Sequence, residues 1–314
     1  MVFLDEVQNI PHWDKFVRRL ADAKYRMYVT GSNAKMLSKE VATTLGGRFF
    51  ICDAYPYSFK EYLAAQQVEL REHWEYDTIQ RSEVKRHLNE YFYYGGLPEI
   101  LSFKNKRAML SSLYQKNYLG DICARNNIKN DRVLNILIKK MAESVKQPLS
   151  YNRLKNVIVA TGSPISVPTT IDYVDYAADS WLILPMENEI GKLTEKEMQK
   201  KYYFVDNGLL NLFLMNSETS LLENMVAVEL CRRCGKKNVF FLNAERGIDF
   251  VVPDEKLAIQ VSYSIKDETT YNKEVLPLVK YAKAHEDWKC LLITYDEEGT
   301  EEEIPVVPVW KWLM

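Results

Sequence analysis

The sequence lacks any segment that would place the protein in or across a membrane. No run of about 18 apolar residues occurs in it, and a membrane-spanning helix needs such a run. The first six residues, Met-Val-Phe-Leu-Asp-Glu, have neither the basic start nor the long apolar stretch of a secretory signal. We therefore expect a protein of the cytoplasm with no membrane partner.

Residues that interrupt or cross-link a chain are also few. Gly contributes 12 residues and Pro 11, so the composition excludes a long disordered linker. The five cysteines are an odd number in a large chain, for which reduced thiols are the default. A length of 314 residues, 47% of them hydrophobic and 27% charged, is typical of a folded protein with two or three domains.

The net charge of −2 conceals two segments of opposite sign. Residues 101–160 contain twelve Lys or Arg and three acids, a net charge of +9, whereas residues 286–303 contain eight acids and one lysine. A basic segment can attract nucleic acid, but long basic side chains also solvate helix faces. Both interpretations stay open at the level of the sequence.

Hydrophobic periodicity divides the chain into four regions. In the first, strand-like segments at 2–4, 26–30 and 48–54 are separated by helical ones, which predicts a parallel α/β sheet. Later regions change to helical spacing and then to mixed spacing. The predicted regions are an α/β part (1–65), a helical lid (66–125), a winged-helix-like part (126–190) and an α+β part (191–314).

Acidic and polar side chains follow the first two predicted strands. Asp5 and Glu6 come directly after the first strand, and Ser32 and Asn33 follow the second. The carboxyl ends of parallel strands form the ligand crevice of an α/β sheet. There an aspartate can hold magnesium, a glutamate can orient water, and a polar side chain can contact phosphate. Arg48, which follows a pair of glycines, is suited to phosphate charge.

The order of these motifs resembles the second half of the AAA+ module in ATPases of bacteria and archaea. The matching stretches are Leu-Asp-Glu-Val-Gln, Thr-Gly-Ser, Gly-Gly-Arg-Phe and Pro-Tyr-Ser-Phe-Lys-Glu-Tyr, in that order. The resemblance implies that Asp5 and Glu6 are the Walker B pair, that Ser32 or Asn33 is sensor 1, and that Arg48 is an arginine finger. It also implies ATP and magnesium as cofactors, with Asp5 as the metal-binding residue.

The phosphate-binding half of such a module is missing from the sequence. A P-loop needs Gly-x-x-x-x-Gly-Lys followed by Ser or Thr, and neither Gly191-Lys192 nor Gly235-Lys236 fits this pattern. Without the loop, the phosphates lose their backbone nest and their lysine. We therefore expect an N-terminally truncated AAA+-type ATPase that does not hydrolyse ATP by itself, and the missing loop puts its ATP binding in question.

The last region resembles the PD-(D/E)xK nuclease fold in outline. A predicted amphipathic helix at 221–233 is followed by one strand with Asp249 and another with Gln260 and Ser262. Nucleases of this kind hold magnesium with carboxylates and place a lysine near the attacking water. Here Gln260 and Ser262 stand where that pattern has Glu and Lys. The resemblance therefore implies an inactive nuclease-like remnant made of Glu223, Glu229, Asp249, Gln260 and Ser262. The region also looks like the C-terminal domain of unknown function attached to these ATPases.

Two alternatives stand beside the truncated ATPase. The first is a non-enzymatic protein that binds nucleic acid or a partner chain, or that self-associates. Asp172, Asp175 and Asp179 on the third helix of the winged-helix-like region argue against reading of DNA by that helix, because acids oppose the approach of phosphate. The second alternative is a magnesium-dependent nuclease that uses Asp249, Glu229 and Gln260.

Overall fold

The computed structural model of the chain describes residues 1–7, 10–31, 49–243 and 247–314. This part of the chain folds as a mixture of helices and sheets, which confirms the predicted α/β class. The strands are β1 (Val2–Leu4), β2 (Met27–Val29), β3 (Leu149–Ser150), β4 (Ile183–Met186), β5 (Gln199–Phe204), β6 (Phe240–Leu242), β7 (Ile248–Val252), β8 (Leu257–Ser262), β9 (Lys289–Thr294), β10 (Gly299–Glu301) and β11 (Ile304–Pro308).

Helices make up most of the remaining regular structure. They are α1 (Trp13–Asp22), α2 (Phe59–Ala65), α3 (Thr78–Tyr94), α4 (Lys106–Leu113), α5 (Asp121–Arg125), α6 (Asp131–Glu143), α7 (Tyr151–Ala160), α8 (Val167–Asp179), α9 (Leu193–Met198), α10 (Asn207–Asn211), α11 (Glu218–Cys234), α12 (Glu268–Ala284) and α13 (Val309–Trp312). A π-helical segment, Tyr114–Gly120, joins α4 to α5. None of the described helices has the length and apolar character that a bilayer span requires.

The N-terminal segment is a small parallel β-α-β unit. β1 and β2 pair in parallel, with Leu4 opposite Val29. Helix α1 covers one face of this pair, and Trp13 and Val17 are buried against it. Side chains alternate between the two faces of a strand, so Phe3 points to the other face, where its side chain is 70% exposed. The predicted parallel arrangement of these two strands is therefore confirmed.

The predicted third strand of this region is wrong over the part that the structure describes. Residues 49–54 have no strand conformation, and the side chain of Phe50 is fully exposed. A strand needs a neighbour to receive its backbone hydrogen bonds, and no described strand pairs with these residues. The apolar composition that suggested a strand is therefore not matched by burial.

Helices α2 to α5, which we call the helical region, pack directly onto residues 191–314, the C-terminal region. Helix α2 begins at Ser58 with a capping box: the Ser58 N–H donates to Glu61 Oε2 at 2.8 Å, and the Glu61 N–H donates to Ser58 Oγ at 3.3 Å. Its buried Phe59 belongs to an apolar core that extends without interruption to Leu313. The predicted boundaries near residues 125 and 190 fall inside this continuous core and stay predictions.

A three-stranded antiparallel sheet accompanies helices α6 to α8, with β3 between α6 and α7 and with β4 and β5 after α8. Its order is β3-β5-β4, so β5, which comes last of the three in the sequence, lies in the middle. The sequence predicts three helices here, at 132–145, 150–159 and 166–180, and the observed helices lie within one or two residues of these ranges. Strand β5 continues from this sheet into the core of the C-terminal region, because Tyr203 and Phe204 at its end are fully buried.

The C-terminal region contains a six-stranded sheet in the order β10-β11-β9-β8-β7-β6. β6, β7 and β8 are antiparallel neighbours, whereas β8 and β9 are parallel and are connected through α12. Alternate residues face opposite sides: Phe250 and Ile259 join the large core, while Val251 and Ala258 pack against α12 residues.

The predicted amphipathic character of α11 is wrong. Every residue from Leu221 to Cys231 is buried, because the helix lies between the six-stranded sheet and helix α3 and has no solvent-facing side over that length. This burial includes two charged residues, Glu223 and Glu229, which need partners in the protein interior.

Candidate functional site

The ends of β1 and β2 bring the first predicted residues together. Because the strands are parallel and in register, Asp5 and Thr30 leave the sheet side by side. The Thr30 hydroxyl donates a hydrogen bond to Asp5 Oδ1, and the Glu6 N–H donates to Thr30 Oγ1 at 3.4 Å. The side chains of Asp5 and Glu6 are both exposed. This arrangement presents two carboxylates at the carboxyl ends of parallel strands, where α/β sheets bind ligands.

Glu6 adopts an uncommon backbone conformation at this position. Its φ of 49° lies in the left-handed region, which costs a non-glycine residue on the order of 1–3 kcal/mol. The next residue is tied back to the neighbouring strand, since the Val7 N–H donates to the Thr30 carbonyl at 3.3 Å. The turn therefore fixes the direction in which the chain leaves β1 and, with it, the position of Asp5 and Glu6.

The other residues predicted for nucleotide contact are Ser32, Asn33 and Arg48. All three lie outside the residues that the structure describes. Their roles as sensor and arginine finger therefore stay predictions.

A second site lies inside the C-terminal region, where three charged side chains meet. Lys201 on β5 donates from Nζ to Glu223 Oε1 at 3.0 Å and to Asp249 Oδ1 at 3.3 Å. Glu223 belongs to α11 and Asp249 to β7, so three separate elements contribute one charge each. The side chains of Lys201 and Glu223 are only 6% and 5% exposed. Charges buried to this degree persist only when they are paired.

Neutral donors hold both carboxylates in place. The Tyr203 hydroxyl donates to Glu223 Oε1 at 2.8 Å, and the Val261 N–H donates to Asp249 Oδ2 at 3.1 Å. Gln260 lies beside them: its Oε1 accepts from the Asp249 N–H at 3.2 Å, and its Nε2 donates to Glu274 at 2.6 Å. We refer to Lys201, Tyr203, Glu223, Asp249 and Gln260 as the buried ion cluster.

Burial and pairing act in opposite directions on these groups. Burial alone would lower the pKa of Lys201, but the two carboxylates outweigh it and raise the pKa to about 12. Burial, followed by the charge of Asp249, raises the pKa of Glu223 to about 7, against the opposing effect of Lys201. Lys201 therefore remains charged at neutral pH, and it is the fixed cation of the cluster.

The cluster borders an open cleft of about 920 Å³. Its walls come from β7, β8 and α12 on one side and from residues 146–148 on the other. Lys201, Glu223, Asp249 and Gln260 all line this cleft. Solvent and small solutes can thus reach the edge of the cluster.

The structure separates the remaining predicted nuclease-like residues from this group. Glu229 pairs with Arg232 and with Arg233, whose Nε lies 2.7 Å from Glu229 Oε1; it does not contact the buried ion cluster. Ser262 donates to the Ser264 carbonyl at 2.9 Å. Of the five predicted residues, Glu223, Asp249 and Gln260 come together.

Lys201 and Glu274 were missed by the interpretation of the sequence. Lys201 lies 22 residues before Glu223 and 48 before Asp249, in a strand that precedes the nuclease-like pattern. The available signal was a lysine directly before the buried aromatic run Tyr202-Tyr203-Phe204. A charged residue in such a strand needs a buried partner.

The described residues do not form a conventional metal centre. No group of three or more His, Cys, Asp or Glu side chains in this part of the chain could hold a metal ion. In the buried ion cluster, the third oxygen donor that would accompany Glu223 and Asp249 is the neutral amide of Gln260, a weaker ligand for magnesium than a carboxylate. The donor set is therefore a poor fit for a divalent cation while Lys201 is present.

A separate buried network joins the helical region to the C-terminal region. Asp206 accepts hydrogen bonds from the N–H groups of Gly96, Gly208 and Leu209 at 2.7, 2.8 and 3.3 Å. Asn224 on α11 bonds both to the Phe204 backbone and to Asn207. We call Gly95, Gly96, Asp206, Asn207, Gly208 and Asn224 the buried junction. Its residues are satisfied within the protein, so its role is structural.

Two protein-family models match different parts of the chain. A family model described as an AAA domain matches residues 1–63, and one described as a domain of unknown function, DUF8612, matches residues 85–239. The second match ends before β6, so it includes Lys201 and Glu223 but not Asp249 or Gln260.

Two curated relatives match almost the whole chain. One, an uncharacterized protein of Methanocaldococcus jannaschii, is 32% identical over 99% of this chain and 74% of its own length. The other, an uncharacterized protein of Haemophilus influenzae, is 30% identical over 99% of this chain and 76% of its own length. The chain therefore belongs to the family of these two proteins, and an AAA-like domain forms its N-terminal part.

Proposed function

We propose that residues 1–63 supply the metal- and water-facing half of an ATPase site. The main support is the hydrogen bond from the Thr30 hydroxyl to Asp5 at the carboxyl ends of adjacent parallel strands. In this assignment Asp5 serves magnesium, directly or through water, and Glu6 orients the attacking water. Ser32 or Asn33 would sense the phosphate, and Arg48 would balance its charge.

The residues of this chain do not fit a complete ATP site. No Gly-x-x-x-x-Gly-Lys-Ser/Thr pattern occurs in the sequence, so a backbone nest and lysine for the phosphates are not supplied. Among the described residues, β2 pairs with β1 alone, and its outer edge offers a place for one more parallel strand. A P-loop for this site would have to come from a segment beyond these 314 residues or from a partner chain.

A calorimetric titration with magnesium-ATP tests this proposal. We expect no binding to the 314-residue chain. A longer form in which a P-loop-bearing segment precedes Met1 should bind ATP and hydrolyse it, and Glu6→Gln in that form should abolish hydrolysis while leaving binding. Micromolar binding by the 314-residue chain, or unchanged hydrolysis after Glu6→Gln, would overturn the assignment.

We further propose that the C-terminal region is a nuclease-like fold that does not cleave nucleic acid. The order α11-β6-β7-β8 supports it, since the resemblance stated above has a helix, then a strand with Asp249 and then a strand with Gln260 and Ser262. Gln260 and Ser262 stand at positions where that pattern needs Glu and Lys. Absence of magnesium-dependent cleavage of single- and double-stranded substrates is the expected result.

The winged-helix-like region fits a spacer better than a DNA reader. Its element order and the β3-β5-β4 sheet support the winged-helix interpretation. Several basic side chains nearby already have acidic partners: Lys106 pairs with Glu90, Arg125 with Asp121, and Lys140 with Glu143. Their charge is therefore partly neutralised, and no observation favours a nucleic-acid function over the ATPase-related one.

A further inference from the structure

We propose that the ammonium group of Lys201 takes the place of the divalent cation in the nuclease-like fold, as a counter-cation built into the chain. This inference rests on the proposed nuclease-like fold and not on the ATPase assignment. It concerns a lysine from β5, outside the elements that carry the acidic positions, and it explains why Glu223 can remain buried beside the partly buried Asp249.

The position of Nζ carries the inference. It lies 3.0 Å from Glu223 Oε1 and 3.3 Å from Asp249 Oδ1, so it contacts one oxygen of each carboxylate. A magnesium or calcium ion would sit at roughly 2.0–2.6 Å from such oxygens, and therefore within the volume that the ammonium fills. The ammonium also lies 5.6 Å from the centroid of the Phe241 ring, which favours a cation at this point. Lys201 and a metal ion cannot occupy the site together.

The carboxylates do not depend on Lys201 for their orientation. Tyr203 holds Glu223, and the Val261 N–H holds Asp249. These neutral donors would stay in place if the lysine were replaced. The structure thus keeps two oriented carboxylates beside an open cleft of about 920 Å³.

Charge balance gives the expected consequence of removing the ammonium. The buried Glu223 and the partly buried Asp249 should then bind a proton or a cation, because an uncompensated charge in the interior is strongly unfavourable. Gln260 lines the same cleft, but its Oε1 already accepts a hydrogen bond from the Asp249 N–H at 3.2 Å, so the two carboxylates are the groups that would hold the cation. The cleft gives a hydrated ion access to them.

The test measures binding of Mn²⁺ in the absence of nucleotide, by electron paramagnetic resonance and by thermal unfolding. All proteins carry Asp5→Asn, so that the exposed N-terminal acids do not contribute. We expect no Mn²⁺ site in the parent chain and one site in the Lys201→Met variant, whose unfolding temperature rises with Mn²⁺. Adding Asp249→Asn to that variant should remove the site.

Lys200→Met is the matched control. Lys200 is the neighbouring residue on β5, and it pairs with Glu187 and Glu197 at 3.2 and 3.5 Å, away from the cluster. Its replacement should create no Mn²⁺ site.

Three outcomes would overturn the inference. The first is tight Mn²⁺ binding by the parent chain that Asp249→Asn removes, since metal and lysine would then coexist. The second is a folded Lys201→Met variant that binds no Mn²⁺ at alkaline pH, where protons do not compete. The third is a Lys201→Met variant that stays unfolded even when refolded in Mn²⁺, because the ion should replace the lost charge. Failure of the magnesium-ATP experiment would leave all of these results unchanged.

Discussion

The two regions of the molecule use acidic side chains in opposite ways. At the end of β1, Asp5 and Glu6 are exposed, and Asp5 has a hydroxyl, Thr30, as its neighbour. In the C-terminal region, Glu223 and Asp249 are enclosed and share Lys201. Both regions match a sequence pattern that implies magnesium, yet their surroundings differ in charge and in access to water.

This difference decides what each pair of acids can do. An exposed carboxylate remains hydrated and can exchange water for a metal ion at small cost. Glu223 is buried and Asp249 is partly buried, so both are less hydrated and are stabilised by a counter-charge. We therefore propose that acids of the same type serve a ligand at the end of β1 and the stability of the fold in the C-terminal region.

We expect the largest difference in stability between the variants Lys201→Met and Lys200→Met, which change neighbouring residues. Without metal ions, Lys201→Met should lower the free energy of unfolding by about 3–5 kcal/mol, because it leaves the buried carboxylate of Glu223 and the partly buried one of Asp249 without their counter-charge. Lys200→Met removes more exposed pairs and should cost about 1 kcal/mol or less. Urea unfolding of both variants measures the difference. Equal losses of unfolding free energy would show that the buried ion cluster stabilises the fold no more than the ion pairs of Lys200 do.

Asp206 in the buried junction should make the stability of the protein depend on pH. Burial raises its pKa from 3.8 to about 6, against the effect of its backbone hydrogen bonds. Between those values the native state binds a proton that the unfolded state does not, so stability falls as pH rises through this window. The total is about 3 kcal/mol.

Urea unfolding of wild type and of Asp206→Asn at pH values from about 4 to 7 measures this dependence, because that range spans the unfolded and the folded pKa of Asp206. The stability of wild type relative to the variant should decline with rising pH. A flat difference, or one that grows with pH, would contradict the raised pKa.

The glycines of the buried junction should be the next most sensitive. A Cβ at Gly208 would lie 2.1 Å from the Tyr94 carbonyl oxygen, whereas one at Gly299 would meet nothing within 4 Å. Gly208→Ala should therefore cost about 1–3 kcal/mol through overpacking, and Gly299→Ala much less. Thermal unfolding of the two variants checks this, and similar losses in both would be unexpected.

The smallest effect is expected on the open face of the N-terminal sheet. Phe3 stacks on Tyr28 with ring centroids 5.0 Å apart, but both rings are exposed. Phe3→Ala should change stability by about 0.5 kcal/mol or less, whereas Trp13→Ala on the covered face should cost about 3–5 kcal/mol. Near-ultraviolet circular dichroism during unfolding can follow this unit. A large loss from Phe3→Ala would indicate that the face is covered in solution.

Local patterns predicted the strands and helices well where neighbours in sequence are also neighbours in space. The predicted parallel pair near Asp5 and the strand at 248–252 are present. The failures came from long-range packing. Residues 49–54 look like a strand but have no partner among the described strands, and α11 is buried over its whole middle because both of its sides meet other elements.

The candidate sites show the same limit. Asp5 was identifiable because its chemistry follows from one strand end. The proximity of Glu223 and Asp249, which both contact Lys201, followed from an outline of a fold. Lys201 could not be assigned, because its partners lie 22 and 48 residues away and nothing local states which charge will meet it. Glu229, six residues after Glu223 on the same helix, turns to two arginines instead.

ATP hydrolysis by the longer, P-loop-bearing form offers the most direct test of the contrast between the two regions. Glu6→Gln and Glu223→Gln should be compared at matched folded fractions. The account predicts that Glu6→Gln abolishes turnover and that Glu223→Gln leaves the turnover of folded protein unchanged. Loss of turnover in the folded Glu223→Gln protein, or its survival in Glu6→Gln, would contradict the assignment of nucleotide chemistry to the exposed acids alone.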